Sequence, residues 1–132
     1  MTSTDLTAMS AESPAIAACM TDAASAGMHA ARHLHSYIHM GVETRVGKWI
    51  EYVDEQSVVK AAVVAEMVEV YVGSGSRIRL LLQHCMLTTG APRTTVPCSA
   101  MSRQRELVCA ESVTVHAVHA VLFNETIVLT RL

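Results

Sequence analysis

His29 and His33 stand four apart, and so do His35 and His39. On a helix, that interval places each pair on one face and offers two imidazoles to a divalent metal. No Asp or Glu falls on the same face to complete a ligand set, and His33 and His35 point to different sides. These histidines therefore read as surface or interface residues, and an interface holding them would be pH-sensitive because imidazole titrates near neutrality. His116 and His119 are three apart in a strand-like stretch, hence on opposite faces. Ser112 near His116 has no orienting acid and makes no triad. Gly73-Ser-Gly75-Ser follows a helical pattern and precedes a strand, the reverse of a phosphate loop. Cys19, Cys85, Cys98 and Cys109 form no Cys-x-x-Cys pair and read as buried free thiols. No catalytic residue, cofactor site or metal site is assigned.

Composition narrows the function classes further. The chain has 132 residues, 51% of them hydrophobic, enough for one domain with a real core. Its net charge is -2 and its basic residues form no run, so a phosphate backbone is an unlikely partner. With one Phe, one Trp and three Tyr it lacks a base-stacking platform, and no nucleic-acid partner is expected. No uninterrupted apolar run is long enough to span a bilayer as a helix. The first 13 residues carry neither an export core nor presequence arginines, which makes a cytosolic protein the expectation.

The elements that would position these residues read as follows. Residues 1–12 form a flexible tail, and residues 13–132 one domain. Ser13-Pro14 caps and starts a helix that runs to about Met40. A second helix covers Val46 to Val72, because Val46, Trp49, Val53, Val63, Met67 and Val70 recur at steps of three and four or their multiples. Val46, Trp49 and Val53 are its core anchors, and Gly73-Ser-Gly75 ends it. From Arg77 the period becomes two: strands are expected over 77–87, 93–101, 106–110 and 113–123, and a fifth over 126–132 if Asn124-Glu125 turns the chain. Thr88-Thr-Gly90-Ala-Pro92 reads as a turn and Ser102 to Arg105 as another. Pro97 marks an edge, a bulge or a point where the chain leaves its own sheet. The fold class is α+β, with two N-terminal helices packed on an antiparallel sheet of four or five strands. That sheet is apolar on both faces, so a second copy or a partner peptide is expected to cover one of them.

The stretch VGKWIEYVDEQ, with Val46, Trp49, Val53 and Glu55-Gln56, resembles the start of the second helix in Tctex-type dynein light chains. RIRLLLQHCMLTTGAP, with Thr89-Gly90-Ala91, resembles that family's first strand and following turn. Cys98 falls where the family often has a second-strand cysteine, and Glu111 and Thr114 resemble the Glu-x-x-Thr that opens its final strand. The resemblance implies a non-enzymatic dynein subunit, cytoplasmic or axonemal, in the cytoplasm and cytoskeleton or in a cilium or flagellum. It implies a homodimer, or a heterodimer with a related light chain, in which the second strand crosses to the partner's sheet. It also implies binding of an extended dynein intermediate-chain or cargo segment by strand addition. Arg93, Thr94, Thr95, Val96, Pro97, Cys98 and Ser99 would form that partner-binding strand. The alternative is a hotdog-fold acyl-CoA thioesterase using Glu43 or Glu55 as its carboxylate.

Overall fold

The computed structural model describes residues 3–53, 56–57, 59–85, 93–97, 101–123 and 126–131. The expected turns at 88–92 and 124–125, and Glu55, Cys98 and Ser99, lie outside them. The architecture is α+β, as expected, with two helices and an antiparallel sheet, but both helices lie in the first 21 residues. They are α1 (Ser3–Glu12) and α2 (Pro14–Thr21). Ten strands follow: β1 Met28–His33, β2 Ser36–His39, β3 Val42–Arg45, β4 Trp49–Val53, β5 Val59–Val72, β6 Gly75–Cys85, β7 Arg93–Pro97, β8 Met101–Cys109, β9 Thr114–Phe123 and β10 Thr126–Arg131. Eight of them form one sheet in the order β7-β10-β9-β4-β5-β6-β8, with β1 also paired to β5, while β2 and β3 pair only with each other.

The helix start at Ser13-Pro14 is where the sequence places it, with the Ser13 hydroxyl accepting from the Ile16 amide. The helix ends at Thr21 rather than near Met40. Asp22 takes over, accepting from the Ala24 amide to cap a 3-10 turn over Ala23–Ser25, and Gly27 at φ 81 reverses the chain into β1. The stretch read as a tail is helical from Ser3 to Glu12, with Leu6 buried against α2 and the sheet.

The expected second helix is two strands, β4 and β5. In β5 the register to β6 shifts between Val64 and Glu66, so Ala65 is an extra residue, a β-bulge. Ala62 and Val64 before the bulge, and Met67 after it, belong to one core cluster with Ile50, Tyr52, Ile78, Leu80 and Leu82. Val68 and Val70 belong to the other, with Ala15, Ile16, Cys19, Ala31 and Leu81 under the helices. The bulge turns a step of two into a step of three between Val64 and Met67, whereas Met67 and Val70, expected on one helical face, belong to different clusters. A register shift between Met28 and Ala30 also makes a step of three in β1, setting Met28 and Ala31 on one face. Six of the 14 residues of β5 are valine, a β-branched content that suits a strand covered on both faces.

β6 alternates as read: Ile78, Leu80 and Leu82 face one cluster and Leu81 the other. The expected turn at 102–105 is instead part of β8, paired with β6. Pro97 sits in β7 at the end of the sheet, opposite Thr126 of β10, in keeping with an edge.

Polar groups pin the helical layer to the sheet. Glu66 accepts from the Ser13 hydroxyl at 2.7 Å and from the Ala15 amide at 3.0 Å, holding the start of α2. Arg79, 2% exposed on β6, reaches the same layer: its Nη2 donates to Asp22 Oδ2 at 2.8 Å and its Nη1 to the Ser25 hydroxyl. The Ala24 amide, and then the Arg79 guanidinium, hold the Asp22 carboxyl below its ordinary range. Burial pushes the neighbouring Cys19 thiol up.

Removing Asp22 strands a nearly buried guanidinium, so Asp22→Ala is expected to cost about 3 kcal/mol. The carboxyl's folded value is the depressed one, so its contribution is complete above the ordinary aspartate range and is lost as pH falls through the lowered value. Urea midpoints of wild type should fall more steeply in acid than those of Asp22→Asn. Parallel acid profiles for the two would contradict this role.

Candidate functional site

The geometry of the site follows from the bulge. β4 and β1 pair with the same edge of β5, at residues 59–63 and 68–72. Between them the Leu34 amide still donates to the Met67 carbonyl, the Gly47 amide to the Val64 carbonyl, and the Val64 amide to the Lys48 carbonyl. The chain from Leu34 to Gly47 therefore leaves the sheet at the bulge and returns to it there. The excursion is the β2–β3 hairpin, closed at its neck by the Val46 amide donating to the His35 carbonyl at 3.1 Å. Its tip is a two-residue loop, Met40-Gly41, with φ 51 and φ 81, the pattern of a type I′ turn.

The hairpin overhangs the sheet and encloses a cavity of about 350 Å³. Tyr37, His39, Met40, Val42 and Thr44 form one side; Leu80 and the run Ala110 to Val115 form the rest. Leu80, Ala110, Val113 and Thr44 are buried, whereas Met40, Glu111, Ser112 and Thr114 are exposed at the rim. The site thus has an apolar floor and a polar mouth. Tyr37 and His39 share a side of β2 because they are two apart. Their rings stack with centroids 5.9 Å apart and planes 12° apart. The Tyr37 hydroxyl lies 3.3 Å from His39 Nδ1. Burial, and then the nearby Glu111 carboxylate, raise the Tyr37 phenol above its ordinary value, so it stays protonated as a hydrogen-bond donor. If it donates to Nδ1, His39 Nε2 carries the imidazole proton and presents it to a ligand; with the other tautomer, Nε2 accepts.

His29 and His33 have partners of their own outside the cavity. His29 donates from Nε2 to the Gly73 carbonyl at 3.0 Å. His33 Nε2 lies 3.2 Å from the Ser13 hydroxyl and 3.4 Å from Glu66. The four-residue spacing carried no metal signal because the segment is strand, not helix. Among the described residues no group of three or more His, Cys, Asp or Glu is placed to hold a metal. No helix among them is long and apolar enough to cross a membrane.

Arg93, Thr94, Thr95, Val96 and Pro97 form β7, paired to Thr126–Thr130 of β10. Of the expected anchors, Trp49 is half-buried with Ala61, Val118, Ile127 and Leu129, in strand packing rather than between a helix and the sheet. Val53 is half-buried at the end of β4, opposite Val59 and Thr114. Val46 is no core anchor: it is 38% exposed beside the hairpin neck. Glu43 lies exposed on β3, ion-paired with Arg45, and lines no part of the cavity. Tyr37 and Glu111 were not singled out together by sequence. The available signal was Gly41 flanked by the alternating Tyr37-Ile-His39 and Val42-Glu-Thr44.

Met40 holds a left-handed conformation that its Cβ disfavours, at the mouth of the cavity and 89% exposed. Met40→Asn should relieve part of that strain and stabilise the fold by about 1 kcal/mol. An unchanged or lower urea midpoint would show that the tip holds no such strain.

Comparison of the chain with known protein families, with curated proteins and with solved structures finds no match in any of the three.

Proposed function

We propose that this domain binds a small, largely apolar molecule in the cavity beneath the β2–β3 hairpin. The observation that carries the reading is the enclosed space itself, about 350 Å³, floored by Leu80, Ala110 and Val113 and bordered by the Tyr37–His39 pair. An apolar cleft with a few convergent polar groups is the usual form of a ligand site, and this volume is at the small end of the range. The floor supplies apolar contact, while Tyr37, His39 and the Ser112 hydroxyl supply orientation.

Val42 lines the cavity from β3 and is only half-buried, so Val42→Trp should fill the space while leaving the sheet intact. A screen of small aromatic and alicyclic compounds, read by amide chemical shifts, should find binders that perturb Tyr37–Thr44 and Ala110–Val115. Those binders should lose affinity in Val42→Trp by about tenfold or more. Shifts clustering elsewhere, or unaffected by Val42→Trp, would refute the site.

A second reading, a dynein light-chain subunit that adds a partner strand, keeps one observation in its support. β7, with Arg93 to Pro97, ends the sheet, and an end strand offers unpaired backbone groups to an incoming chain. Against it, the stretch expected to open the family's second helix forms strand β4 here. Affinity purification from the source cells separates the readings. Stoichiometric dynein intermediate and heavy chains would favour the subunit; their absence would leave the cavity as the functional feature.

A further inference from the structure

The charges around the cavity are one-sided. Among the described residues neither Lys nor Arg lines it, and the carboxylate that does is Glu111. Glu111 sits on the rim, exposed, in the 3-10 turn Ala110–Ser112. Among the described residues no ion pair engages it. Its field reaches across the space, since it helps keep the Tyr37 phenol protonated. Arg77 shares a second hollow with Glu111, Val72, Gly75 and Ser76 and is not among the residues that line the cavity. Arg45, on the hairpin, is held by Glu43.

An anionic ligand would bring its charge beside Glu111, with no Lys or Arg among the described lining residues to offset the repulsion. A neutral apolar ligand would leave the carboxylate unused. A ligand with an apolar body and an ammonium group satisfies both parts of the site: the body lies on Leu80, Val113 and Val115, and the ammonium meets Glu111 at the wetter rim. Tyr37 and His39, whose rings stack on each other, line the same cavity.

We propose that the cavity selects small apolar amines, with Glu111 as the residue that reads the ammonium group. This rests on the cavity being a ligand site, and it narrows that site's ligand to one chemical class. It also argues against acyl-CoA and other phosphate-bearing substrates, which arrive with several negative charges.

The test uses three probes of nearly equal shape, 2-phenylethylamine, 2-phenylethanol and phenylacetate, titrated by calorimetry and amide shifts against the full chain. The expected order is amine, then alcohol, then carboxylate, with the amine favoured over the alcohol by about tenfold. Glu111→Gln should abolish that preference; Arg77→Gln should leave the order as it is. Equal binding of amine and alcohol, or a preference that survives Glu111→Gln, would overturn the amine assignment while the cavity reading stands. Binding of none of the three at these residues would overturn both.

Discussion

The extra residue at Ala65 governs how this molecule is put together. A 14-residue strand covered on both faces must present apolar side chains in both directions, and β5 does so along its whole length. The bulge divides it into two halves of opposite parity. Before it, Ala62 and Val64 share a cluster with Tyr52 and Leu82; after it, Met67 continues that cluster while Val68 and Val70 turn to the helices. The same irregularity separates the two partners on β5's edge, β4 and β1, and leaves the intervening chain room to exit as a hairpin. Without the exit there would be no overhang and no cavity. A bulge beside a binding site is a common arrangement, because it re-aims side chains and ends pairing at a defined point.

The helical layer is held differently. Its apolar contacts come from small residues, Ala15, Ala31 and Cys19, together with Ile16 and Leu6. Such contacts are weakly directional and would allow a short helix to slide. Glu66 and Arg79 remove that freedom. Each rises from the sheet and takes more than one partner in the layer: the Ser13 hydroxyl and Ala15 amide for Glu66, Asp22 and Ser25 for Arg79. A buried ion pair contributes little net stability, but an unpaired one is strongly unfavourable, so the arrangement penalises every misplacement of the helices. The placement of Glu66 itself depends on the bulge, which turns it to the helical side opposite Leu81.

Much of the sheet was legible in the chain, and the reason is physical. Where a strand keeps regular alternation, as in β6 from Ile78 to Leu82, period two survives in the sequence. The Ser13-Pro14 helix start and the edge position of Pro97 were legible too, because each rests on one local rule about hydrogen-bond donors. The helices expected over 14–40 and 46–72 are strands from Met28 onward. Register shifts at β1 and β5 insert single residues, and single insertions convert alternation into steps of three. Valine content was the counter-signal, since six valines in 14 positions favour an extended backbone however they are spaced. The candidate site was illegible for a related reason. Its histidine was paired with the wrong partner, four residues away on an assumed helix, when the relevant neighbour was Tyr37, two away on a strand.

That mistaken period bears on the family likeness as well. VGKWIEYVDEQ suggests a helix because Val46, Trp49 and Val53 repeat at three and four. In the folded chain the three do different jobs. Val46 is exposed near the hairpin neck, Trp49 packs on β9 and β10 residues, and Val53 ends β4. β4 carries that spacing in an unbroken register, with Trp49 and Val53 opposite Val63 and Val59 of β5. Charge is less ambiguous. Glu111, in the 3-10 turn Ala110–Ser112, contributes a carboxylate to the wall of this cavity, and that sign does not depend on the secondary structure around it.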